Sequence, residues 1–407
     1  MSPSQGAPLS AWSLKFLSVE AWSGIVLLVA ATMALAVANS PWGHAYEELW
    51  EHPLVLVPAA LVHGQTLHFW VNDGLMTVFF LLVGLEVRRE LNDGSLSDPR
   101  VATLPIIAAL GGVLVPALLY WALNPGEPTR EGWAVPTATD IAFAVGVLAI
   151  IGRGMPPALR MLLLTLAIID DIAAILIIAL VYSSGIAWGG LLVVVLGVAC
   201  ALALQFLGVR PAWVYVAPGA VVWYGMLSTG VHPTLAGVIL GLLTPVRPDF
   251  GLRRRTAHPE RMGLAPVIEV EAGLHPWVAF GIMPLFALAN AGVHIGGVHT
   301  GSATFAVVAG IVAGLVLGKP LGIVLAARAA VALKICELPA DVTWRDVRVL
   351  GALAGIGFTM SIFIANLAFT DAALLTAAKA GVLAASFLAG ALSVVLALRR
   401  RPPAVPA

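Results

Sequence analysis

Charge is what this sequence has least of. Asp, Glu, Lys and Arg make up 11% of its 407 residues, while 60% are hydrophobic. Soluble domains carry roughly 25% charged residues, so water cannot be the main solvent of this chain. Neither sign is in excess, with 22 basic and 22 acidic residues. That balance gives no support to a nucleic-acid or an acidic partner. Cysteine is nearly absent: Cys200 falls in an apolar run and Cys336 in a basic loop, a placement that suits neither a disulfide framework nor a metal cluster. Ser- or Gly-rich linkers and low-complexity tracts are missing as well, which leaves no signal for a separate soluble domain.

What remains is a series of apolar runs. A membrane-spanning helix needs about 20 apolar residues, fewer where it is interrupted and buried in protein. Twelve segments qualify, approximately 22–39, 69–88, 101–123, 134–151, 159–182, 188–207, 212–226, 231–246, 275–292, 304–327, 347–369 and 373–398. The loops test that count, because cytoplasmic loops carry the Lys and Arg. Of the 22 basic residues, Lys319 and Lys379 lie within spans and Arg130 alone lies in one set of loops. The other 19 all fall in the alternate loops and the two tails. Both tails, 1–21 and 399–407, are therefore expected in the cytoplasm, around one transmembrane domain covering 1–407. Ala36-Val37-Ala38 resembles a signal-peptidase site, but cleavage there would leave eleven spans and put the new terminus on the wrong side. The polar 40–68 segment, outside, alternates at Val55, Val57, Leu61 and His63 in the manner of a small hairpin.

Four charges stand where none should. Asp140, Asp170, Asp171 and Lys319 fall inside spans, and at roughly 2.5–3.5 kcal/mol each they cost on the order of 10 kcal/mol together. Structural ion pairs would explain some of them. Three acids against one base, however, leave carboxylates available to a cation. Lys379, alone in the last span, is assigned no role. Asp170 and Asp171 sit in LTLAIIDDIAAILIIAL, which has no Pro or Gly and is expected to be one continuous helix. Consecutive helical residues point about 100° apart, so the two carboxylates are not equivalent. Hard cations favour carboxylate oxygens. A site that cannot stay empty and ionised at low cost crosses the membrane either protonated or loaded, which couples the two fluxes.

Asp140 lies in AVPTATDIAFAVG, where Pro136 breaks the helix and Thr137 and Thr139 can rebond freed backbone groups. GALAGIGFTMSIF is the second candidate break, through Gly351, Gly355 and Gly357. The two fall in the fourth and eleventh spans, each the middle of a three-span group. Paired interruptions of this kind mark inverted-repeat transporters with a midplane ion site. Opposed half-helices present two positive N-termini and two negative C-termini, which Asp140 and Lys319 respectively would offset. The expected fold is an all-α integral membrane protein of twelve transmembrane helices, with inverted-topology repeats and two interrupted, crossing helices.

These motifs carry a family resemblance. TATDIAFAVGVLAI, LAIIDDIAAILIIAL, FFLLVGLEVRREL, GVHPTLAGVILG, HPWVAFGIMPLFALANAGV, LGKPLGI and GIGFTMSIFIANLAF resemble the NhaA-type Na⁺/H⁺ antiporters of bacterial inner membranes, themselves inverted-repeat transporters. The match runs in order over residues 15–398. It implies that Asp171 is the more direct Na⁺ or Li⁺ ligand and that Asp170 pairs with Lys319. Asp140 and Thr139 would lie where the interrupted helices cross, and Asp73 matches a further family acid. Glu86, Arg89, Glu90, His232, Glu271 and His275 match positions assigned to pH sensing, although Ile268 and Glu269 stand where the best-known member is basic. The resemblance also implies electrogenic, pH-regulated extrusion of Na⁺ or Li⁺ against more than one H⁺, with no cofactor and no enzymatic activity. It further implies a homodimer joined through 40–68.

Three rivals fit less well. An intramembrane aspartyl protease would need its aspartates on separate helices and a Gly-x-Gly-Asp signature, for which GIGF is the only comparable string. A retinal protein would have seven spans. A sodium-coupled organic-solute symporter of related architecture would keep interrupted helices but favour uncharged sodium ligands and a roomier cavity.

Overall fold

A computed structural model describes residues 11–58, 62–151, 155–183, 185, 187–247, 264–294, 296 and 301–399, without the side chains of 11–21. Arg153, Arg253, Arg254, Arg255, Arg261, Arg400 and Arg401 of the basic loops, and Leu61 of the 40–68 segment, lie outside them. The described chain is helical. In order come α1 (Ala11–Ala38), α2 (Gly43–Glu51), α3 (Leu67–Asp93), α4 (Pro99–Leu123), a 3₁₀ stretch at Thr129–Thr137, α5 (Ile141–Ile151), α6 (Pro157–Val181) and α7 (Trp188–Phe206). After these come α8 (Val216–Thr229), α9 (Leu235–Leu243), α10 (Pro266–Asn290), α11 (Ser302–Ala332), α12 (Trp344–Ala354), α13 (Phe358–Ala368) and α14 (Ala372–Leu398).

Seven of these helices are long and apolar enough to cross a membrane, or up to ten candidate spans if each of three bent pairs counts as one. Helices α8 and α9 occupy the seventh and eighth expected spans. They have 14 and 9 residues, which at 1.5 Å per residue is about 21 and 14 Å, short of the roughly 30 Å hydrocarbon core. The surface is inverted relative to a soluble protein. Leu180, Phe387 and Trp188 are exposed, whereas Asp140, Asp170, Asp171 and Lys319 are buried.

Two bent pairs bear on the site. Thr129–Thr137 and α5 meet at 45°, and α12 and α13 meet at 46°. The third turns by 114° between Trp22–Ala38 and α2, so α2 lies across the end of α1. Tyr46 fastens it there by donating to the Leu288 carbonyl of α10. Burial pushes the Tyr46 hydroxyl up to about 12, which keeps it a donor at any ordinary pH. The hairpin expected in 40–68 is reduced to one antiparallel bridge, Pro53 with Thr66, on the far side of α2. Gln65 occupies the space between, bonding the backbone of Leu56, Val57 and Val62.

Small residues allow the helices to approach closely. Gly237 and Gly241 of α9, spaced as small-xxx-small, face Thr77, Leu81 and Gly84 of α3, and a Cβ on Gly241 would lie 2.7 Å from the Leu81 carbonyl. Backbone contact of this kind is the main source of helix association where lipid removes the hydrophobic driving force. We expect Gly241→Leu to destabilise the protein by about 1–3 kcal/mol, the usual cost of overpacking. A lowered melting temperature in detergent would show it, and unchanged melting would refute close α3–α9 packing.

Candidate cation and proton site

The two breaks lie against each other. Residues 138–140 and 355–357 leave helical geometry, and the chains bond across the gap: Asp140 N donates to the Ile356 carbonyl at 2.7 Å. Four half-helix ends therefore meet in the buried interior, and side chains satisfy them. The Asp140 carboxylate accepts from Phe143 N at the start of α5 through Oδ1, at 3.0 Å. Through Oδ2 it accepts from Thr359 N at the start of α13, also at 3.0 Å, and from the Thr359 hydroxyl. Both helix N-termini thus face one buried carboxylate, the favourable sign for their dipoles. At the opposite ends, Lys319 Nζ donates to the Thr137 carbonyl, and Thr139 Oγ1 lies 2.9 Å from the Ala354 carbonyl. Ser361 Oγ donates to the Val135 carbonyl at 2.7 Å.

Asp170 and Asp171 lie mid-way along the uninterrupted α6, and their environments differ. Asp170 Oδ2 is 2.7 Å from Lys319 Nζ and 2.6 Å from Thr139 Oγ1. Its Oδ1 is buried without a hydrogen-bond partner. Lys319 reaches it from α11, directly after a π-helical turn at Gly314–Gly318. Such turns shift the face of everything beyond them. Asp171 points elsewhere, into a cavity of about 140 Å³ that it lines with Thr139, Asp140, Glu86 and Met360. Among the described residues no hydrogen bond reaches its carboxylate. With water occupying roughly 30 Å³, the cavity has room for a small cation with a few waters.

Of the positions matched to pH sensing, five converge on the mouth of this cavity. Glu86, Arg89, Glu90 and His275 line it. Arg89 Nη1 donates to Glu271 Oε1 at 2.6 Å and passes within 3.8 Å of Glu90. Glu90 in turn accepts from the Ser95 backbone and hydroxyl. His232 is not with them. It lies 3.7 Å from Asp73, and Asp73 is thirteen residues before Glu86 on α3, about 20 Å away at 1.5 Å per residue. Asp73 itself sits in a π-helical turn, its carbonyl held by Trp223 Nε1. Sequence reasoning assigned no role to Thr359 or Ser361, which bind across the breaks. The signal that could have found them was that a half-helix beginning after Gly357 must present unpaired N–H groups needing an acceptor.

Lys319 offsets the Asp170 charge and holds a freed carbonyl at once. Truncating one member of a buried pair strands the other. Lys319→Ala is accordingly expected to lower stability by about 3–5 kcal/mol, with partial recovery when Asp170→Asn is added. Thermal unfolding of the two variants measures this, and a single mutant that melts as the parent would remove Lys319 from the site.

The chain resembles known proteins along most of its length. A family model described as Na+/H+ antiporter 1 matches residues 14–397. The Na(+)/H(+) antiporter NhaA of Acidovorax sp. is 59% identical over 92% of this chain and 89% of its own. That of Cupriavidus necator is 53% identical over 95% and 90%, and the Na(+)/H(+) antiporter NhaA 2 of Sorangium cellulosum is 52% identical over 94% and 88%. Buried carboxylates that lean on two helix breaks, apolar helices that face outward and a match along nearly the whole length lead to one conclusion: the chain is a multi-pass membrane protein belonging to the Na+/H+ antiporter 1 family.

Proposed function

We propose that the protein exchanges Na⁺ or Li⁺ from the cytoplasm for more than one entering H⁺, electrogenically and under pH control, with Asp171 as the principal cation ligand. The observation that carries this reading is the contrast between the acids. Asp140 and Asp170 already serve half-helix N-termini and Lys319, whereas Asp171 faces the cavity with no hydrogen bond from the described residues. Proton and cation then compete for the same oxygens, and Asp170 with Thr139 completes the site beside it. The transported ion is substrate, and the exchange calls for no cofactor or enzymatic step. A sodium-coupled organic-solute symporter would need a pocket of some 300–1,000 Å³, which the cavity of about 140 Å³ does not offer.

The fold around this site is a single transmembrane domain of twelve passes in two inverted repeats, with the short α8 and α9 completing the count and the two breaks forming the crossing. It sits in the bacterial inner membrane with both tails cytoplasmic, in accord with the distribution of basic residues. Glu86, Arg89, Glu90, Glu271 and His275 at the cavity mouth set the pH response, while His232 acts with Asp73 at the other end. A homodimer forms through 40–68, where Trp42 is exposed beside α2; the bilayer is the other partner.

In everted vesicles carrying a proton gradient, Na⁺ addition is expected to collapse the gradient, and Asp171→Asn to abolish that response. A mutant that responds as the parent would refute the site assignment. One proton competing with the cation also requires the apparent KM for Na⁺ to fall as pH rises, by up to about tenfold per unit in the protonated range. A KM that does not change with pH would exclude competition.

A further inference from the structure

Beyond the cavity, on the side away from Arg89, the same helices build a second structure that is not part of the cavity lining. Three buried rings come first. Phe363 of α13 packs against Phe80 of α3 at 5.3 Å and Phe286 of α10 at 6.3 Å between ring centroids. Phe363 is one helical turn from Thr359, which binds Asp140, so the rings lie just beyond the site. One to two turns further along each helix stands an asparagine: Asn72 on α3, Asn290 on α10 and Asn366 on α13.

These amides are tied together. Asn290 Nδ2 donates to Asn72 Oδ1 at 2.9 Å, and Asn366 Nδ2 donates to Asn290 Oδ1 at 2.8 Å. Two more groups meet that oxygen, His68 Nε2 at 3.3 Å and Lys379 Nζ of α14 at 3.5 Å. Asn72 Nδ2 also lies 2.9 Å from the His68 ring. One carbonyl oxygen with two lone pairs thus faces three nitrogen groups from three different helices. A permanent lock would be fully satisfied or apolar. Neutral amides that share an oversubscribed acceptor can instead exchange their partners for water at small net cost.

We propose that Asn290, with Asn72, Asn366 and Lys379, is the outer gate of the exchanger: closed, it seals the aromatic layer over Asp171, and its opening admits extracytoplasmic water and releases the cation. The inference rests on the exchange reading above. It gives Lys379, which is partly buried and does not line the cavity, a function. The ammonium holds the gate amide from the fourth helix and repels cations that would re-enter.

The test uses the full chain with Cys200→Ser and Cys336→Ser and a probe cysteine, Leu75→Cys, one turn inward of Asn72 on α3. Labelling by a membrane-impermeant maleimide from the extracytoplasmic side is compared with and without Asn290→Ala. Loss of one to two hydrogen bonds from the closed state is expected to speed labelling roughly tenfold. The apparent KM for Na⁺ should rise at the Arg89 face and fall at the opposite face. Asn290→Asp, which pairs an acid with Lys379, should shift both readouts the other way. Should Asn290→Ala not fold, Asn366→Ala serves in its place. Labelling and KM values equal to the parent's at both faces, in a parent that exchanges Na⁺ for H⁺, would overturn the gate and leave the exchange intact. A parent that does not exchange would overturn the exchange reading instead.

Discussion

Two helix breaks set side by side in an apolar interior create the constraint on which the rest of the structure depends. Each break frees backbone N–H and C=O groups, and a buried polar group left unpaired costs several kcal/mol. Here side chains meet them. Asp140 takes the N–H groups of α5 and α13, Lys319 takes the Thr137 carbonyl, Thr139 approaches the Ala354 carbonyl, and Ser361 takes that of Val135. Charged residues that would be prohibitive in an intact span become the least costly way to hold an interrupted one.

The consequence falls on α6. This helix is unbroken and so needs none of these charges for its own backbone, yet it carries two acids. Their offset of about 100° sends Asp170 into the network as partner of Lys319 and Asp171 into the cavity. Continuity of α6 is what makes the division firm: an unbroken helix fixes both directions, while the irregular geometry lies in the neighbouring breaks. The cavity is lined by Glu86 and Arg89, and the packed rings of Phe80, Phe286 and Phe363 lie outside its lining.

Much of this was legible in the sequence because charge in an apolar run is rare enough to be informative. Asp140, Asp170, Asp171 and Lys319 stood out by their cost alone, and Pro136 marked its break. Legibility ended where residue type stopped discriminating. A Thr or Asn in a span costs little, so nothing distinguished Thr359 or Asn290 from polar residues facing solvent or packed singly. Register was lost as well: the π-helical turns at Trp70–Leu75, Val278–Ile282 and Gly314–Gly318 rotate the helix beyond them, and no periodicity in the sequence announces them. His232 was grouped with Glu86 on family resemblance, whereas distance along α3 separates the two. The 40–68 segment alternates as a strand does, but GHAYEELWE within it forms α2, and only Pro53 and Thr66 pair.

Charge balance in the enclosed site also separates the three acids. A half-helix N-terminus carries roughly +0.5 elementary charge, so the two that face Asp140 together offset about one carboxylate. Asp170 is offset by Lys319 at 2.7 Å. Only Asp171 is left, and a single monovalent cation or a single proton neutralises it. The dipoles that face Asp140 belong to the backbone and do not titrate, so that compensation is fixed by the fold. The compensation of Asp170 comes instead from a side chain, Lys319, whose removal would leave that acid buried and uncompensated.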